Sequence, residues 1–109
     1  MNRWDVYWAD FPFEETSGSK ERPIVICTDT AEYVLALRVT SHTARANSKY
    51  DYVLAFWAEA GLAKESVVRI DKIAQLEHSA IGEYIGRIQD ADIVEIRKIM
   101  NRYKENGYH

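Results

Sequence analysis

The sequence predicts a small, closed or partly closed antiparallel β-barrel, mainly β, that ends in one amphipathic helix. Short runs rich in β-branched and aromatic residues recur at close spacing, each bounded by polar or turn-forming residues. The period changes near residue 90, where apolar positions fall three and four apart. The length, 109 residues, suits a single domain spanning 1–109 and leaves little room for a second.

The first strand covers roughly residues 4–11, where Val6-Tyr7-Trp8-Ala9-Asp10-Phe11 supplies strand formers and Pro12 breaks the run. Phe13 to Glu21 reads as a loop of about nine residues, longer than the ~4–6 residues of a median connection. The second strand covers about 23–28. Pro23 fixes φ at its entrance and biases Arg22 away from helical geometry, and Ile24-Val25-Ile26 has the character of a buried strand. Asp29-Thr30-Ala31-Glu32 forms a turn, since Asp and Thr bond local backbone. Tyr33 to Thr40 is the third strand, and the polar stretch Ser41–Lys49 interrupts the pattern. Tyr50 to Phe56 is the fourth strand, and Ala60-Gly61-Leu62 makes a bend. Ser66 to Ile70 is the fifth, running into Asp71–Leu76, and Tyr84 to Ile88 is a short last strand.

From about Ala91 to Lys104, Ile93, Ile96, Ile99 and Met100 form an apolar stripe opposite Glu95, Arg97, Lys98 and Asn101. Asp90 and Asp92 suit the positive end of the helix dipole, and Arg102 and Lys104 the negative end. Gln89 or Asp90 falls in the N-cap region, and Gly107 is a stop signal. A barrel of this size has a thin core, so a second copy of the chain is expected to complete part of the apolar surface.

Hydrophobic residues make up 47% and charged residues 28%, which supports a folded core and excludes a disordered chain. No apolar run approaches the ~20 residues of a membrane span, and Met1-Asn2-Arg3-Trp4-Asp5 lacks the long apolar segment of a secretory signal. Cys27 is the only cysteine and lies in an apolar run, which fits a buried structural thiol and a cytoplasmic home. His42, His78 and His109 are far apart, no Cys/His group has zinc spacing, and no metal or cofactor is expected. The net charge of −3 argues against a basic, domain-wide nucleic-acid surface. Lys20, Arg22, Arg38, Arg45 and Lys49 nonetheless fall in the first half, which permits a local cationic cleft.

Two places carry chemistry. In Gly18-Ser19-Lys20-Glu21-Arg22-Pro23, a polar loop ends on a guanidinium mounted where it meets a rigid strand. Arg presents a planar, permanently charged fork of donors suited to phosphate. After the third strand, Arg38, Thr40, Ser41, His42 and Arg45 lie close together. At period two Arg38 and Thr40 share one face, and Val39 and Ser41 the other. If the second and third strands are neighbours, Arg22 and Thr40 meet at one rim and can donate to one phosphate. A phosphodiester passing through a pentacovalent state gathers negative charge, which such donors stabilise. Plainer roles also fit: Thr40 and Ser41 as strand-end and turn residues, His42 as a solvated loop histidine, Arg38 and Arg45 as surface charges. Of the aromatics, Trp4, Tyr7, Trp8 and Phe11 are expected mostly in the core, and Phe13 exposed and able to stack on a base. No Ser-His-Asp arrangement, phosphate-cradling glycine loop or paired-carboxylate motif is present.

Five segments, in order, resemble one family. Asp5 to Phe13 is similar to an opening "D-I-V-x-x-x-F-P-F" strand, Lys20 to Val25 to "K-x-R-P-x-V-V", and Val39-Thr40-Ser41 to "I-T-S". Gly61 to Arg69 is similar to "G-L-x-K-x-S-x-V-R", and Tyr84 to Ile88 to a closing "x-I-G-x-L" strand before a helix. The family is the MazF/PemK-like toxin endoribonucleases of bacterial type II toxin–antitoxin systems. The resemblance implies an SH3-like barrel, a homodimer, and a metal-independent endoribonuclease acting on single-stranded RNA. The RNA's own 2′-hydroxyl would attack the adjacent phosphate, leaving a 2′,3′-cyclic phosphate and a 5′-hydroxyl. It also implies Arg22 and Thr40 as the active-site pair, with Arg22 stabilising the transition state and a candidate acid, and Ser41 as their neighbour. Phe13, Ser19, Lys20, Arg38, His42 and Arg45 would contact RNA. The loop Glu14–Glu21 would border the RNA site, and a dimer groove would receive a segment of a cognate antitoxin. No base is assigned; His42 and Asp10 are candidates. The other reading is a non-catalytic SH3-like module that binds RNA or a protein partner.

Overall fold

The computed structural model describes residues 1–12, 19–41 and 49–106. Its strands are β1 (Asp5–Pro12), β2 (Ser19–Asp29), β3 (Val34–Thr40), β4 (Asp51–Val53), β5 (Val67–Leu76) and β6 (Ile81–Arg87). A short 3-10 turn, His78–Ala80, precedes β6, and α1 (Asp90–Asn106) ends the described chain. The strands form one six-stranded sheet in the order β4-β5-β3-β2-β1-β6, with every neighbouring pair antiparallel. The mainly β class and the terminal helix are as the sequence predicts.

Three boundaries differ, each for a tertiary reason. β2 begins at Ser19 rather than near residue 23, because Ser19, Lys20, Glu21 and Arg22 pair with Pro12, Phe11, Asp10 and Ala9. The ladder overrides the polar composition that reads as loop. β4 stops at Val53; one further bond, from Leu54 N–H to the Ser66 carbonyl, continues its register with β5, and the next two N–H groups, of Ala55 and Phe56, turn to the Asp92 carboxylate. β6 starts at Ile81, where it pairs with Ala9.

Alternation along the strands sorts the apolar residues into two clusters. Val6, Val25, Leu37 and Val39 join Leu54, Leu62, Ile70 and Ile88 under the helix residues Ile93, Ile96 and Ile99. Ala9, Ile24, Ile26, Val34, Ala36 and Ala74 form a smaller second cluster. Cys27 is half-buried at the edge of the larger one, and burial pushes its thiol up. Trp4 has φ of 76°, an uncommon conformation for a bulky residue. Two backbone bonds hold it there: its N–H donates to the Ile26 carbonyl, and its carbonyl accepts from Ile88. The Arg3 and Arg97 guanidiniums lie over its buried ring, 5.2 and 5.8 Å from the centroid.

Among the described residues no ladder joins β4 to β6. The connection from β4 to β5 instead crosses the gap and lies against β6, giving the sheet a barrel-like shape. Gly61, with φ of 96°, faces the Ile85 carbonyl, and a side chain at Gly86 would overlap the Ala60 carbonyl oxygen. The two glycines let two backbones meet where any Cβ would part them.

The start of α1 is tied to the same connection. Asp92 is buried, and its carboxylate accepts from the Tyr52 hydroxyl at 2.5 Å, from Ala55 N–H at 3.1 Å and from Phe56 N–H at 2.9 Å. Burial, together with the bond to Asp92, raises the Tyr52 phenol well above its usual range. The folded state therefore holds that proton more tightly than the unfolded chain. This contribution is complete below the ~10 of a free phenol and is lost as pH climbs from there towards the folded value. The unfolding midpoint should fall on alkaline titration, and Tyr52→Phe should flatten that limb. Among the described residues no helix is long and apolar enough to cross a membrane.

Candidate active site

A cleft of about 420 Å³ opens where β1, β2, β3 and β6 meet the β4–β5 connection. β2 contributes Glu21, Arg22 and Pro23, and the end of β3 contributes Val39 and Ser41. Pro23 stands opposite Trp8 in the β1–β2 ladder, which brings the Trp8 indole to the cleft, 39% exposed. Tyr84 comes from β6, is 58% exposed, and meets the Tyr7 ring edge-on with centroids 5.4 Å apart.

The opposite wall shows why the segment Gly61 to Ser66 has its spacing. Gly61 takes the left-handed turn, Leu62 anchors in the core, and Lys64 lines the cleft. Ser66 is buried and its hydroxyl donates to the Lys64 carbonyl at 2.8 Å, fixing the turn that carries the lysine. The cleft thus combines two cations with two exposed aromatic faces. Among the described residues the Arg22 side chain, half-buried, has no ion-pair or hydrogen-bond partner. A guanidinium in that state is available to an anion.

Arg22 and Ser41 both line the cleft; Thr40 and Arg38 do not. Thr40 is half-buried at the last position of β3, where it pairs with Val67. Ile24 stands opposite Arg38, and two further places along each strand bring Arg22 level with Thr40, just past the last paired residues. Cross-strand neighbours share a face. By the same alternation Val39 and Ser41 belong to the face on which the cleft opens, so Arg22 touches it from the rim. Ser19 and Lys20 sit in β2 opposite Pro12 and Phe11. Phe13, His42 and Arg45 lie outside the described residues. Asp10, opposite Glu21, is exposed and does not line the cleft. Among the described residues no three His, Cys, Asp or Glu side chains gather as a metal site requires.

Residues 2–103 match the family described as PemK-like, MazF-like toxin of type II toxin–antitoxin systems. The chain belongs to this family. Solved structures share its fold at low identity. An endoribonuclease in complex with its cognate antitoxin, from a mycobacterial species, is 19% identical with a TM-score of 0.77 over 100% of this chain and 99% of its own. The Mycobacterium tuberculosis toxin MazF-mt6 is 17% identical, with a TM-score of 0.75 over 93% of this chain and 96% of its own. A MazE–MazF structure from Deinococcus radiodurans is 18% identical, with a TM-score of 0.75 over 96% of each chain. No curated protein sequence matches the chain.

The charged and aromatic residues that line the cleft of this toxin-family chain beside Arg22, namely Glu21, Lys64, Trp8 and Tyr84, are not among the site residues that the sequence points to. Trp8 is one of the strand aromatics expected mostly in the core; it is instead 39% exposed and lines the cleft, in mid-strand at the irregularity where β1 and β6 shift register. The signal for Lys64 lay in its segment, where a glycine, a leucine and a serine frame it. Glu21 and Tyr84 carry no local signal, because only the packing of β6 beside β1 brings Tyr84 near β2.

Proposed function

We propose that this chain is the endoribonuclease toxin of a type II toxin–antitoxin pair, cutting single-stranded RNA at short sequences without a metal ion. The observation that supports it is the cleft, in which Arg22 and Lys64 stand beside the exposed faces of Trp8 and Tyr84. Cations suit a phosphodiester backbone and aromatic faces suit unstacked bases. The attacking group is the RNA's own 2′-hydroxyl. Arg22 stabilises the charge that gathers on the phosphate, Thr40 positions that phosphate, and Ser41 assists from the neighbouring position. Lys20, Ser19, Arg38, Phe13, His42 and Arg45 extend the RNA contact. The working unit is a cytoplasmic homodimer that a cognate antitoxin inhibits by occupying a groove and displacing the segment Glu14–Glu21. The net charge of −3 makes binding depend on the local cleft and favours, as the second reading, a module that binds RNA or protein without cutting.

The test is incubation of the purified protein with a long single-stranded RNA in EDTA, with 5′ ends mapped. Discrete cuts bearing 5′-hydroxyls, abolished by a 2′-deoxy substitution at the cut site, support the proposal. Saturable binding with no cuts on several RNAs identifies the non-catalytic module. Trp8→Ala should raise KM about 5- to 150-fold, the ~1–3 kcal/mol of one lost base stack, with a smaller change in kcat. Steady-state kinetics on a short RNA containing the mapped site read this split.

A further inference from the structure

The reaction needs a group that takes the proton from the attacking 2′-hydroxyl. We propose that Glu21 is that base, an assignment that rests on the ribonuclease reading of the cleft. Of the described residues lining the cleft, Glu21 is the one carboxylate, and none is a histidine. Lys64 and Arg22 are cations at neutral pH, and serine and tyrosine hydroxyls keep their protons there. The Ser66 hydroxyl is already committed to the Lys64 carbonyl.

Position supports the chemistry. The 2′-hydroxyl and the 3′-phosphate it attacks are carried on neighbouring carbons of one ribose, so base and phosphate-binding cation must be near neighbours. Glu21 and Arg22 are consecutive, and both reach the cleft although strand alternation sends them to opposite faces. One carboxylate oxygen of Glu21 lies 3.4 Å from the place a Cβ would occupy at Gly82, so the side chain extends from β2 across to β6. The charged and titratable groups around it are Asp10 opposite on β1, Lys64 from the β4–β5 connection, Tyr84 from β6, and its sequence neighbours Lys20 and Arg22. Asp10 adds negative charge beside Glu21, outside the cleft, and Arg22 and Lys64 add positive charge within it. The cleft thus holds a proton acceptor beside an anion site.

In the step, the Glu21 carboxylate takes the 2′-hydroxyl proton as the O2′–P bond forms. The P–O5′ bond breaks, and its electron pair leaves with the 5′-oxygen, which takes a proton from water. The hydroxide so formed takes the proton from Glu21 and restores the carboxylate. The products are a 2′,3′-cyclic phosphate and a 5′-hydroxyl.

The experiment compares the pH dependence of kcat for the full-length protein with that of Glu21→Gln, Glu21→Asp and Glu21→His, on one short RNA carrying the mapped cut site. The wild-type rate should fall on acidification, as the carboxylate takes up a proton. Glu21→Gln should lose about 10²- to 10⁴-fold in kcat and also lose that acid limb. Glu21→Asp should keep the limb at reduced rate, and Glu21→His should move it towards the ~6.5 of an imidazole. A folded Glu21→Gln that keeps the wild-type rate or its acid limb, or a Glu21→Asp without the limb, overturns the assignment while leaving the ribonuclease reading intact. A wild type that cuts no RNA overturns both.

Discussion

Arg22→Ala is expected to lower RNA cleavage by about 10²- to 10³-fold or more, abolishing toxicity, while the unfolding midpoint stays within experimental error of the wild type. Removing one preorganised donor from a transition state that gathers charge has that order of effect. The fold should tolerate the change because, among the described residues, the Arg22 side chain has no partner to abandon. The β1–β2 ladder at Ala9 and Arg22 uses backbone, which alanine retains. Arg22→Lys restores the charge without the planar fork, so it should recover only part of the rate. Cleavage kinetics and thermal unfolding on the same preparations check both halves. A folded Arg22→Ala protein with wild-type cleavage would remove this residue from the mechanism.

Asp92→Ala should be the most damaging single change to stability among those considered. One carboxylate serves the Tyr52 hydroxyl and two backbone N–H groups, all part-buried. An unmet buried donor costs ~1–3 kcal/mol, and the three share one partner and relax together, so the expected loss is about 3–5 kcal/mol. That is a large share of the ~5–15 kcal/mol that holds a typical domain. Asp92→Asn should lose less, since its one remaining carbonyl oxygen still accepts. Urea unfolding read by fluorescence gives the order, wild type above Asn above Ala. The anchored segment, Leu54 to Leu62, leads into the wall that carries Lys64, so surviving Asp92→Ala protein should also bind RNA less well.

Asp92 marks where sequence reading stops. The acid at the start of a helix is legible as a dipole partner, and its place after Gln89 supports that. Its larger role, capping the two N–H groups that follow β4, depends on a segment about 36 residues earlier in the chain. The same limit explains β4, which the strand-forming residues Leu54 to Phe56 extend on paper and which Asp92 cuts short in the fold by taking the Ala55 and Phe56 N–H groups. In the candidate site, Arg22, Thr40 and Ser41 stood out because chemistry-bearing residues interrupt or end apolar strands. Glu21, Trp8 and Tyr84 did not, because a glutamate in a polar stretch and aromatics in strands look ordinary until neighbours are known.

The residue pattern by itself determined the β class, the strand sequence, the terminal helix, and the family resemblance that the match over residues 2–103 bears out. These are properties of local spacing: period two for strands, period three to four for the helix, and fixed short motifs. The tertiary structure alone decided which strands are neighbours, how the β4–β5 connection spans the gap to β6, and which side chains share a cleft. Those follow from contacts between residues far apart in the chain, such as Gly61 against Ile85 and Trp8 opposite Pro23, which no local pattern encodes.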